Sequence, residues 1–122
     1  MIYKICSTEA WAACQKSGHL PWAEVDRRDG FVHLSARNQV EQTAAKHFAG
    51  QTGLMILEVD PDALPTDALR WEVSRGGDRF PHLYADLPLS AVSSARPAPL
   101  DADGIPQLWG ATQTPAADLD AS

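Results

Sequence analysis

The chain of 122 residues, 44% apolar and 21% charged, is long enough for one packed domain and too short for two separate cores. Its sixteen acidic residues include Asp101, Asp103, Asp118 and Asp120 near the end; the other twelve face ten basic ones, a balance that excludes broad phosphate-driven binding of duplex nucleic acid. No apolar run approaches the roughly 20 residues that span a bilayer, and Met1–Cys6 leads into no apolar signal core, so the expectation is a cytoplasmic protein without membrane contact.

Ile2–Cys6 alternates apolar and mixed positions with β-branched content, the pattern of a strand. Ser7 or Thr8 then caps a helix running to about Lys16, with Trp11 and Ala12 facing inward and Gly18 past its end. His19–Trp22 reads as a loop and Asp29-Gly30 as a turn, followed by a short strand over Phe31–Leu34. Ser35 stands where an N-cap belongs, because Val40, Ala44 and Phe48 recur at four-residue spacing on one face of a second helix that ends at Gly50. Leu54–Val59 is the strongest strand, central and buried, and Asp60-Pro61 ends it. Leu69–Val73 is a further strand, Ser74–Asp78 a glycine-containing loop, Phe80–Tyr84 the next extended segment, and Ala91–Ala95 the last core strand.

That order, β-α-β-α and then several strands, indicates an α+β domain rather than a doubly wound sheet. Residues 1–108 form this single domain, in which Ile105–Trp109 can pack as a short edge element, and 109–122 reads as a disordered tail rich in Pro, Ala and Asp. Cys6 and Cys14, eight apart and outside any CxxC spacing, support neither a disulfide framework nor a zinc knuckle and are read as reduced packing residues.

Two histidines sit in parallel contexts, Phe31-Val32-His33-Leu34-Ser35 and Phe80-Pro81-His82-Leu83-Tyr84. Positions two apart on a strand share a face, which sets a hydroxyl beside each imidazole. A helix beginning just after Ser35 would aim free N–H groups at an anion, so His33 and Ser35 suit a phosphate or ribose; alternatively, Ser35 only caps the helix and His33 bonds a buried carbonyl. Glu72, next to Trp71 in a strand, faces away from whichever side buries that indole; it either orients a hydroxyl or pairs with Arg70 or Arg75. Arg75-Gly76-Gly77-Asp78-Arg79 suits a phosphate-binding nest and an ordinary hairpin loop equally. Trp22, beside Pro21 in a loop, is the indole best placed to stack on a ligand ring, whereas Trp11 and Trp71 suit the core and His19 and His47 suit structural roles.

In Ile2-Tyr3-Lys4-Ile5 with Trp11, in Asp29-Gly30-Phe31-Val32-His33-Leu34-Ser35 with Gln39, in Leu57-Glu58-Val59-Asp60, in Leu69-Arg70-Trp71-Glu72 and in Phe80-Pro81-His82-Leu83-Tyr84, the sequence resembles the small bacterial domain-of-unknown-function family numbered 952. The likeness covers roughly residues 1–108. That family resembles in fold the ADP-ribosyltransferases, including the RNA 2′-phosphotransferases, which implies a split mixed or antiparallel sheet with two main helices. It further implies NAD+ or a related small nucleotide as ligand and possible substrate, with nicotinamide leaving an oxocarbenium-like ribose and no metal required. Carried onto this chain, the resemblance puts His33 at the ribose, His82 as the second histidine, Arg75 or Arg79 at the diphosphate and Tyr84 against the nicotinamide. Glu72 would face a hydroxyl or the positive charge, although it precedes His82, which departs from the order in those enzymes.

Three other readings fit the same residues. A two-histidine phosphoesterase needs paired His-x-Ser/Thr motifs, which His33-Leu34-Ser35 provides and His82-Leu83-Tyr84 does not. A metal site of His33, His82 and Glu72 has suitable ligand atoms without a recognised spacing. A module that binds a nucleotide or partner without turnover would keep the pocket and lose the carboxylate's role.

Overall fold

A computed structural model describes residues 1–109, apart from the Arg75 side chain. They run β1 (Ile2–Ser7), α1 (Thr8–Ser17), α2 (Glu24–Asp29), β2 (Val32–His33), β3 (Ser35–Ala36), α3 (Val40–His47), β4 (Leu54–Val59), β5 (Leu69–Val73), β6 (Arg79–Leu83) and β7 (Val92–Pro97). The strands form two sheets, in the orders β3-β1-β4-β7 and β2-β6-β5. Every pairing among the described residues is antiparallel, so the fold is α+β with a divided antiparallel sheet rather than a mixed one.

Helix α1 starts where Ser7 Oγ accepts from the Ala10 N–H at 3.0 Å and stops at Gly18, whose φ of 93° closes the last turn. Trp11 and Cys14 face the core, but Ala12 is exposed, because adjacent helical residues point about 100° apart and the Trp11 side takes the contact. The buried Cys6 thiol is pushed up to about 12 by desolvation, which keeps it a protonated packing group. One apolar cluster joins Ile2, Cys6 and Cys14 to Leu83 and Leu87; another, on the opposite face of β1, joins Tyr3 and Ile5 to Val40 and Ala44 of α3.

Two further expectations change. Ser35 is not the cap of α3: it pairs with Tyr3 in β3, the helix starts at Val40 after Gln39, and Gln39 Oε1 accepts from the Ala36 N–H at 2.9 Å. The stretch Ser35–Ala36 has a neighbouring strand to join, and ladder hydrogen bonds replace the cap. Trp71 is 45% exposed rather than buried. It shares its face of the edge strand β5 with Leu69, which packs on the core, but two residues further along the strand has run past that core. Trp109, at the junction of the Ile105–Trp109 packing segment and the tail, lies 5.3 Å edge-on from the Tyr3 ring with the Arg37 guanidinium 3.7 Å from its centroid; residues 110–122 lie outside the described residues.

The sheet divides at Leu34. Continuing the Tyr3–Ser35 ladder would set Ile5 against His33, yet His33 pairs with His82 in the second sheet. Side chains take both main-chain groups of His33: its N–H donates to Asp26 Oδ1 at 3.1 Å, and its carbonyl accepts from Lys4 Nζ at 3.1 Å. Lys4 and Asp26 also bond each other at 3.1 Å and are 6% and 1% exposed. Removing one partner strands the other charge away from water. Lys4→Met or Asp26→Leu alone should therefore lower the unfolding free energy in urea by about 3–5 kcal/mol, and the double variant by less than the two losses added. Single losses below about 1 kcal/mol would contradict this role.

Candidate functional site

A cleft of about 870 Å³ is lined by residues of both sheets, His33 and His82 among them. The ladder explains why these imidazoles meet. Leu34 N–H donates to the Pro81 carbonyl at 3.1 Å, so His33 and His82 are a non-hydrogen-bonded antiparallel pair, whose side chains approach more closely. The ring centroids are 5.9 Å apart, and Phe31 lies against both, stacked 4.0 Å from His82 and 4.5 Å from His33.

Each imidazole holds a carboxylate at Nδ1. Asp26 Oδ1 is 2.7 Å from His33 Nδ1, and Glu72 Oε1 is 2.8 Å from His82 Nδ1. The outer nitrogens differ. His33 Nε2 meets Asp29 Oδ2 at 2.9 Å, whereas His82 Nε2 has no side-chain or main-chain partner among the described residues. The one buried, unpartnered side-chain nitrogen or oxygen among those residues is Trp109 Nε1, so His82 Nε2 reaches solvent although the residue is only 6% exposed. With Nδ1–H donating to Glu72, the neutral His82 ring presents a lone pair at Nε2.

Carboxylate charges are secured by their donors. Burial pushes Asp26 up, but hydrogen bonds from His33 and the Lys4 ammonium outweigh it and hold the carboxyl at about 2. Tyr84 donates to Glu72 Oε1 at 2.6 Å and, ahead of His82, holds Glu72 below the usual glutamate range; the same bond raises the Tyr84 phenol. Arg28, ahead of His33, lowers Asp29.

The remaining sequence candidates are distributed unevenly. Trp22 lines the cleft and donates from Nε1 to Asp86 Oδ1 at 2.9 Å. Ser35 also lines it, but from the first sheet, with its hydroxyl 3.3 Å from Thr43 Oγ1, so it does not stand beside His33. Glu72 and Tyr84 lie behind His82, outside the cleft lining, and exposed Arg79 is outside it too. The Arg75 side chain lies outside what the structure describes. The cleft's guanidiniums come instead from Arg27 and Arg28 of α2. That helix, Glu-Val-Asp-Arg-Arg-Asp, has no apolar period to reveal it, and Asp26 fixes its start by accepting from the Ala23 N–H at 3.1 Å. Lys4, Asp26 and Phe31 were also absent from the sequence candidates. A charged Lys4 inside an otherwise apolar strand was the available signal, as was the Phe-x-His common to both histidine segments. His47 lines the cleft from the end of α3, while His19 bridges to Pro88. Among the described residues no three His, Cys, Asp or Glu side chains are grouped to hold a metal ion.

A family model described as "Protein of unknown function (DUF952)" matches residues 5–95. No curated protein matches the chain. The crystal structure of protein CC0527 from Caulobacter crescentus is 49% identical, with a TM-score of 0.83, and the match covers 87% of this chain and 92% of that one. Its solution NMR structure matches at 49% identity with a TM-score of 0.77, covering 87% and 90%.

Asp26 has a testable pH signature. Its folded-state value of about 2 lies below the ordinary 3.8, so the folded protein binds fewer protons in this window. The stabilisation should be complete above the ordinary value and fade as pH falls toward 2. Melting temperature followed from neutral to acid pH should drop across that window, less steeply in Asp26→Asn; equal slopes would rule out this coupling.

Proposed function

The chain belongs to the DUF952 family of proteins of unknown function, and from that premise we propose that its cleft binds an NAD+-class nucleotide and that His82 faces the reacting ribose in ADP-ribosyl transfer. The observation that carries this reading is the unpartnered Nε2 of His82, a residue that Glu72 holds at Nδ1 and that lines one cleft together with His33. The division into sheets of four and three strands, with the cleft at the split, supports the ADP-ribosyltransferase-like form of the fold. The volume of about 870 Å³ suits a small-molecule site.

The donor set fits such a ligand with altered roles. Trp22 offers a flat face for a base or nicotinamide, and Arg27 and Arg28, in place of Arg75 and Arg79, stand where a diphosphate would bring negative charge. NAD+ as substrate supplies a glycosidic bond from which nicotinamide leaves as a neutral molecule. His82 Nε2 takes the proton of the attacking acceptor, and Glu72 stabilises the imidazolium that results. Glu72 and Tyr84 are thus positioning residues: the phenol fixes the carboxylate, and the carboxylate fixes the imidazole. His33, engaged at both ring nitrogens, orders the ribose end through its edge and Asp29. That double engagement also weighs against the two-histidine phosphoesterase, whose second imidazole must be free to exchange a proton.

Titration with NAD+ should raise the melting temperature by about 4 °C or more, corresponding to about 1 kcal/mol of linkage. His82→Ala should keep the fold and slow nicotinamide release by about a hundredfold. Absence of a thermal shift with both NAD+ and ADP-ribose at millimolar concentration would overturn the reading.

A further inference from the structure

On one side β1 is fully paired, Ile2 to Ser7 against Val59 to Leu54 of β4. On the other side, among the described residues, pairing stops at Tyr3. Hydrogen-bonding direction alternates along a strand. Thr8 N–H donates to the Gly53 carbonyl at 2.9 Å in the β1–β4 register, so Lys4 and Cys6 address β4 while Ile5 and Ser7 address the open side. The place opposite Ile5 would fall to His33, but Asp26 and Lys4 have already taken its N–H and carbonyl. Ile5 N–H, Ile5 C=O and Ser7 N–H therefore face the cleft without a main-chain partner among the described residues.

We propose that this edge takes an extended peptide segment of a partner protein as an added strand. The order donor, acceptor, donor over two residues, about 7 Å, is the complement of another extended main chain. A single base or carboxamide would satisfy the Ile5 pair and leave Ser7 unmatched. The cleft also gives such a strand two different walls, since the core clusters lie on opposite faces of β1. On the α1 and α2 side Ala10 and Val25 line the cleft together with Arg27 and Arg28, and on the α3 side Thr43, His47 and Gln51 line it together with Phe48. Each wall thus mixes apolar and polar groups, and the Arg27 and Arg28 guanidiniums favour a segment in which acidic residues alternate with apolar ones. Open edges are commonly blunted by an outward charge or a proline; here the strand's one lysine is turned to Asp26. This inference rests on main-chain geometry and holds whether or not the cleft takes NAD+.

The test is amide hydrogen exchange read by NMR on the whole chain, with the capped peptide Val-Asp-Val-Asp-Val as probe. The peptide should slow exchange at Ile5 and Ser7 by about tenfold or more, and the same peptide N-methylated at alternate residues should not. Equal effects of the two peptides, protection confined to other residues, or no protection at millimolar peptide would each overturn the proposal. Protection of these amides by NAD+ but not by the peptide would assign the edge to the nucleotide and overturn it as well.

Discussion

The buried Lys4–Asp26 pair is the constraint on which the rest of the molecule depends. Two charges removed from water need good geometry and further hydrogen bonds, and here both come from the main chain of His33. In satisfying that pair, His33 cannot continue the ladder alongside β1. The chain crosses to the second sheet, where His33 meets His82, and the gap left beside β1 is the cleft. One electrostatic contact therefore sets the split, the histidine pair and the open strand edge together.

The histidine pair is symmetric in sequence and asymmetric in chemistry. Both rings receive a carboxylate at Nδ1, from Asp26 and from Glu72. Asp26 is shared with Lys4 inside the protein, and Asp29 closes the far side of His33, so that ring is tied into the scaffold. Glu72 is held instead by the Tyr84 hydroxyl, and the far side of His82 stays open. A fixed imidazole beside an available one is a sensible division of labour for a site that must both orient a ligand and exchange a proton with it.

Much of the fold was legible because it was local. Leu54–Val59 is a nearly continuous apolar run and Leu69–Val73 alternates apolar and charged positions; both form the expected strands, and Ser7 with Gly18 bounds α1. What escaped was decided across the sheet. Ser35 has the chemistry of a cap, but strand pairing with Tyr3 claims it. Trp71 has the composition of a core residue, but an edge position leaves it exposed. Helix α2 has no amphipathic period, because Asp26 rather than an apolar stripe anchors it. At the site, the parallel segments around His33 and His82 pointed to both imidazoles, whereas Phe31 escaped, and no spacing rule links Lys4 to Asp26 or leaves the free ring nitrogen on His82 rather than His33.

The chemistry of the site turns on the state of one nitrogen, Nε2 of His82. Imidazole nitrogen-15 NMR of the intact protein reports which ring nitrogens carry protons and which respond to an added ligand. The structure predicts that neutral His82 is protonated at Nδ1 and bare at Nε2, and that NAD+ shifts the Nε2 resonance of His82. A neutral His82 protonated at Nε2, or a His82 resonance indifferent to saturating NAD+, would contradict the account.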